Sequence, residues 1–307
     1  MKKHLVAVFW TMLFLCPRSG AAGALDPARY LAQRGWTPFE DSKPVQLPQA
    51  GIAALRYYEQ GRSVPSCGIL TAGSGRSAPH FIDLVSSDAG ENYPQCLGIG
   101  PIVQFRLQNR AYAVVGYDFR ETREDVYRSY HYFYQDGQQG YVSDEALNGI
   151  VPDIDLQEAG ETARKGTDGV KAARTAYFKR AFPHLRFLER DFISGSQSSF
   201  AMFDNRQTGQ CYLALETGST QVLAAHTEFV PGARCSGVLA TTALDKGDMT
   251  YYLALLGAGA GKQLAAIASV NRAGKITFEK DLSSAVNTSG ATGNARTAKA
   301  ALASLLR

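Results

Sequence analysis

Apolar-rich runs of strand length recur through most of this chain, some continuous and some alternating with polar residues at a period of two, the spacing of half-buried β-strands. Runs of this kind cover Ala53–Glu59, Ser66–Ala72, His80–Ser86, Ile99–Leu107, Ala111–Phe119 and Val126–Tyr134. A second series covers Arg186–Phe192, Phe200–Asp204, Cys211–Glu216, Val222–Phe229, Val238–Ala243, Thr250–Leu256, Leu264–Val270 and Lys275–Glu279. Glycine, asparagine and aspartate punctuate them at Gly73-Ser74-Gly75, Asn109 and Asp136-Gly137, which predicts short hairpin connections.

Helical spacing is confined to three places. Asp26 is an N-cap followed by Pro27 at the first helical position, predicting a helix to Arg34 that Gly35 stops. A second helix is predicted over residues 169–182, ending before Pro183, with Tyr177, Phe178, Ala181 and Phe182 on its apolar face. A third is predicted over residues 295–306, with Leu302, Leu305 and Leu306 as its apolar positions. The polar stretch 147–169 reads as a linker. Short loops favour hairpins and meanders over parallel crossovers, so the expected class is α+β, mainly antiparallel β.

The two series of strands echo each other. Cys67-Gly68-Ile69-Leu70, Cys96-Leu97-Gly98-Ile99 and Ala113-Val114-Val115-Gly116 recur in order as Cys211-Tyr212-Leu213, Cys235-Ser236-Gly237-Val238 and Ala254-Leu255-Leu256-Gly257. The spacing is about 140 residues, too long for a solenoid and suited to a duplicated domain-sized unit. The expected organisation is therefore a leader over residues 1–24, then two tandem pseudo-repeats over 25–160 and 161–307. Each would be a β-meander-like sheet flanked by a helix.

The leader rests on Lys2 and Lys3, an apolar run from Leu5 to Cys16, and Ala22-Gly23-Ala24, a small-x-small pattern that predicts cleavage before Leu25. The apolar run is shorter than the roughly 20 residues that span a bilayer, so no transmembrane segment is expected after cleavage. The full chain carries a net charge of +4; Lys2, Lys3 and Arg18 lie in the leader without an acid, and subtracting them leaves +1. That balance gives no electrostatic footprint for nucleic acid or for an anionic membrane surface. Export would place the chain in a periplasm or outside the cell, where an even set of cysteines forms disulfides. Spacing alone permits three pairings of Cys67, Cys96, Cys211 and Cys235; the repeat selects Cys67–Cys96 and Cys211–Cys235. Neither a C-x-x-C pair nor histidines at ligand spacing are present, so no metal or cofactor is expected.

Catalytic motifs are weak. His226 and Glu228 would share one face of a strand, and His80 is the approximate counterpart of His226 in the first half. Ser194-Gly195-Ser196 and Gly73-Ser74-Gly75 lack the spacing of a nucleophile elbow and read as turns. The run from Gly257 to Lys262 fails the phosphate-loop pattern, since Leu256 replaces its first glycine and Gln263 its Ser/Thr, and it reads as a hairpin. The sharpest surface feature is a tyrosine ladder, with Tyr130, Tyr132 and Tyr134 on one strand face and His131 and Phe133 on the other. Beside it lies the mixed-charge loop Arg120 to Asp125, with Arg120 and Arg123 as candidate contacts. Tyrosine and arginine are the residue types that dominate protein-binding surfaces. The sequence thus points to an exported, non-catalytic protein-binding protein, such as an inhibitor or a toxin-immunity protein, acting on another envelope or periplasmic protein. A periplasmic hydrolase with a site at the repeat junction, and a cell-wall or glycan-binding module using the Tyr130 face, are the alternatives.

Overall fold

The computed structural model describes residues 25–40, 43–72, 78–136, 140–159, 168–218, 220–231, 233, 236–258 and 261–307. The expected leader, with Cys16, lies outside them, as do Cys235, the Gly73-Ser74-Gly75 turn, Gly137 and residues 160–167 of the expected linker.

The chain forms a mainly antiparallel β structure with three sheets. Helix α1 (Pro27–Gln33) begins as expected, with Asp26 accepting a hydrogen bond from the Arg29 N–H at 3.0 Å. The first sheet contains β1 (Thr37–Pro38), β2 (Val45–Leu47), β3 (Ile52–Tyr58), β4 (Ser66–Thr71) and β5 (His80–Val85). The central sheet begins with β6 (Gln95–Leu107), β7 (Arg110–Arg120), β8 (Val126–Asp136) and β9 (Gly140–Ser143). The expected linker proves partly structured, as α2 (Glu145–Asn148), β10 (Ile154–Asp155) and α3 (Leu156–Ala159); β10 pairs with β8. Helix α4 (Asp168–Ala181) then leads into β11 (Leu185–Phe192), β12 (Ser198–Asn205), β13 (Cys211–Thr217) and β14 (Thr220–Ala225). After the single turn α5 (His226–Phe229), the third sheet comprises β15 (Val238–Lys246), β16 (Met249–Gly257), β17 (Gln263–Asn271) and β18 (Ile276–Phe278), followed by α6 (Lys280–Thr288) and α7 (Ala295–Leu305).

Strand order in the central sheet is β10-β8-β7-β6-β14-β13-β12-β11, with β9 on β8. The two series of strands meet in a short parallel pairing, Thr220 opposite Arg106 and Gln221 opposite Leu107. They therefore share one nine-stranded sheet.

Side-chain alternation decides the layers. From β7 and β8, Ala113, Val115 and Phe133 point to the first sheet and pack on Ile52, Ala54 and Ile69. From β12 and β13, Phe200, Met202, Leu213 and Leu215 point to the third sheet and pack on Tyr252, Ala254, Leu256 and Ala266. The opposite face of the central sheet carries Val114 and Tyr132 in one half and Ala201, Ala214 and Leu223 in the other, and α4 packs against both sets. The first sheet is covered on its outer side by Tyr30 and Leu31 of α1, and the third by Val286, Ala298 and Leu302 of α6 and α7. Burying each such large apolar side chain contributes about 1.5–3 kcal/mol. In each series a helix, α1 or α4, precedes two groups of antiparallel strands that pack on each other.

Cys67 of β4 and Cys96 of β6 form a disulfide between the first and central sheets, with Cα atoms 5.4 Å apart and both residues fully buried. Cys211 is also disulfide-bonded.

Two of the departures from expectation have a clear physical cause. The strand expected over residues 222–229 stops at Ala225, because Glu228 turns back to accept a hydrogen bond from the Ala225 N–H at 2.6 Å and closes α5. Helix α6 was not anticipated, since Ser283, Ser284, Asn287 and Thr288 are modest helix formers. The sheet supplies the reason: Ser283 Oγ accepts from the Ile267 N–H at 2.9 Å. Asn287 exchanges two bonds with Ala265, at 2.7 and 3.0 Å.

Candidate functional site

The tyrosine ladder has the facing expected of it, but helix α4 covers much of it. Tyr132 is fully buried and its hydroxyl donates to the Gly169 carbonyl at 2.9 Å. Tyr130 is 8% exposed, lying between Gly116 and Gly169; a Cβ on Gly169 would stand 2.7 Å from Tyr130 Cδ1. Tyr134 is half-buried beneath the Arg110 guanidinium, 3.6 Å from the ring centroid. The ladder therefore seats the start of α4. Arg123 is exposed at the neighbouring hairpin tip, and Arg120 is half-buried. Thr122 stiffens that tip, donating to Asp125 Oδ2 at 2.6 Å and accepting from the Asp125 N–H at 3.2 Å.

The histidines are dispersed. His80 is exposed at the start of β5, on the edge of the first sheet. His226 and Glu228 lie in α5, where Glu228 serves the turn and His226 Nδ1 is buried without a hydrogen-bond partner. No hydrogen bond among the described residues joins His80 to either. Ser196 donates to the Ile193 carbonyl and accepts from the Ser198 N–H, both at 3.1 Å, as a turn serine does. The Gly257–Lys262 segment closes a hairpin through the Ala258 N–H and Lys262 carbonyl, 2.9 Å apart.

A polar cluster that sequence reasoning passed over surrounds His131. Its Nε2 lies 2.9 Å from Ser143 Oγ, which also accepts from Asn148 Nδ2 at 3.1 Å and donates to Glu145 Oε1 at 2.6 Å. With its proton given to Glu145, Ser143 leaves Nε2 of His131 to act as donor. That polarity is opposite to the one that activates a serine nucleophile. Burial pushes the His131 pKa down to about 4, against a smaller upward pull from Glu145. The cluster ties α2 to the edge of the central sheet, and Asn148 Oδ1 completes it by accepting from the Tyr132 N–H at 2.7 Å.

A groove of about 790 Å³ lies between α4 and the open part of the central sheet. Its size is that of a ligand site. Val103 of β6 and Gln221 of β14 contribute from the junction of the two series. Residues Lys171, Arg174 and Phe178 follow one edge of α4 at helical spacing. On β11 a register shift between Phe187 and Glu189 leaves Leu188 unopposed. Phe187 and Arg190, three apart, would otherwise point to opposite faces; the bulge turns both toward the groove. Phe187 is 54% exposed, and Phe192, two residues beyond Arg190 on the same face, is 69% exposed.

The charges of the groove are unevenly matched. Arg190 pairs with Glu216 at 3.0 Å, and Gln221 Nε2 donates to the same carboxylate oxygen. Among the described residues no carboxylate stands within ion-pair distance of Arg174 or Lys171. Arg174 is half-buried, reaches only the Gly218 carbonyl at 3.4 Å, and keeps a buried Nε without a partner. Burial pushes its pKa down, with Arg190 adding to the shift and Glu216 opposing it. Lining of this kind, cations and aromatic rings around a spoken-for carboxylate, suits binding of an anionic, partly apolar group. Neither the β11 bulge nor the uncovered part of the sheet has a signal in local sequence pattern; the one hint was the pair Phe187 and Arg190 in a strand rich in charge.

No protein-family model matches the chain, and no curated protein matches it. Among solved structures, Trypanosoma rangeli sialidase in complex with sialic acid aligns over 79% of this chain and 40% of its own, at 10% identity and a TM-score of 0.23. A GH43 β1,3-galactosidase with galactodeoxynojirimycin aligns over 75% and 72%, at 7% identity and a TM-score of 0.19. The catalytic domain of Coprinopsis cinerea GH62 α-L-arabinofuranosidase aligns over 79% and 71%, at 10% identity and a TM-score of 0.17. Likeness this slight carries no argument about fold or activity.

Proposed function

We propose that this is an exported, non-catalytic protein-binding protein of inhibitor or immunity type, whose partner is another envelope or periplasmic protein. The observation that carries the reading is the groove beside α4, where exposed Phe187 and Arg190 of β11 face Arg174 of the helix, with exposed Phe192 further along the same strand. Phenylalanine and arginine in a concave, largely apolar setting are the composition of binding hot spots. Export is supported by the leader pattern and by the buried Cys67–Cys96 disulfide, which belongs to an oxidising compartment. Among the described residues no helix is long and apolar enough to cross a membrane. The common order of a helix followed by two packed groups of antiparallel strands supports a duplication with halves at 25–160 and 161–307.

A tagged chain lacking residues 1–24 should recover a stoichiometric protein partner from envelope extract. Replacing Phe187 and Phe192 together by Ala should abolish that recovery while leaving the fold intact. Recovery unchanged in the double variant would move the binding surface elsewhere, to the Arg120–Arg123 hairpin first. No partner at all would overturn the reading.

A further inference from the structure

A half-buried guanidinium without a carboxylate has paid desolvation with little return. Arg174 is in that position, and the two features nearest to it relieve it only in part: Glu216 is engaged by Arg190 and Gln221, and the Gly218 carbonyl is at 3.4 Å. Lys171, one turn earlier on the same helix edge, is exposed and adds a second unmatched positive charge. Phe187 forms the opposite wall, its ring braced edge-on by Phe203 with centroids 5.7 Å apart. The groove thus offers a positive end and an aromatic wall within one cavity, in a chain otherwise close to electrical balance.

We propose that the groove receives an acidic segment of the protein partner, seating an Asp or Glu carboxylate on Arg174 and an adjacent apolar side chain against Phe187. The assignment rests on the protein-binding reading above and names the chemistry of its contact. The carboxylate completes the hydrogen bonding of Arg174, Lys171 draws it in at range, and the apolar neighbour covers the exposed ring.

The test is fluorescence anisotropy with the whole chain lacking residues 1–24 and a labelled, acetylated peptide alternating Glu and Phe. Peptides alternating Gln and Phe, or Lys and Phe, serve as controls. The Glu–Phe peptide should bind at least about tenfold more tightly than the Gln–Phe peptide, with affinity falling as salt rises. Arg174→Gln should remove about tenfold of that affinity. Because Arg174 is half-buried, Lys171→Gln is the second variant; it lies on the surface and should cost about threefold, mostly in association rate. Equal binding of the Glu–Phe and Gln–Phe peptides, no binding of either, or unchanged affinity in folded Arg174→Gln protein would overturn the proposal. A partner recovered equally by wild-type and Arg174→Gln protein would leave the binding function standing and remove this site from it. Peptide binding with no partner in the extract would overturn the partner reading and this assignment with it.

Discussion

The side-chain amide of Asn109 and the backbone of Ile276 exchange two hydrogen bonds. Nδ2 donates to the Ile276 carbonyl at 2.8 Å, and Oδ1 accepts from its N–H at 2.9 Å. Asn109 thereby stands in for a strand at the edge of β18. Its neighbour Gln108 does the same to Leu223 of β14, at 3.0 and 2.7 Å. Both residues have positive φ, 47° and 63°, as a two-residue hairpin turn requires. One tight turn of the first strand series thus plugs two strands of the second.

Asn109→Gly keeps the left-handed backbone and removes the plug, leaving the Ile276 N–H and carbonyl without these partners. It should cost about 1–3 kcal/mol in urea unfolding, the penalty for partly buried backbone groups left unpaired. A loss of a few tenths only would mean that water replaces the amide without cost.

His131 makes stability fall with acid. Its folded pKa of about 4 lies below the ordinary value of 6.5, so the unfolded chain binds the proton more readily between those limits. The contribution is complete above pH 6.5 and is lost as pH falls toward 4. It amounts to up to about 2 kcal/mol between pH 7 and pH 5. His131→Gln, which retains a donor toward Ser143, should flatten that part of the profile. Parallel wild-type and variant profiles would show that His131 is not the titrating group.

Tyr132→Phe removes the hydroxyl that holds the Gly169 carbonyl and should cost about 1 kcal/mol. Gly169→Ala forces a methyl group against Tyr130 and should cost about 1–3 kcal/mol by overpacking. Since both residues seat the same end of α4, hydrogen exchange in each variant should quicken first in α4. Exchange that quickens uniformly would show that α4 does not loosen separately.

Strand positions were legible as apolar-rich runs between turn residues, and where one face meets water the alternation of side chains marked the buried face. It also placed Tyr130, Tyr132 and Tyr134 on a common face. What covers that face was not legible, since the contact of Tyr132 with Gly169 joins residues remote in sequence. Helix α6 was hidden for a related reason: Ser283 and Asn287 serve the backbone of β17 and not the propensity of their own helix. The groove depends on the bulge at Leu188, a backbone irregularity that leaves no mark in local composition.

Among the described residues the parallel seam between β6 and β14 pairs two residues on each side, yet it makes one sheet of two strand series. Val103 stands on one side of it and Gln221 on the other, and both line the groove. Whatever fills that groove spans the joint as a splint spans a break. The proposed occupant would brace the two series against parting, turning a narrow ladder into a clasp.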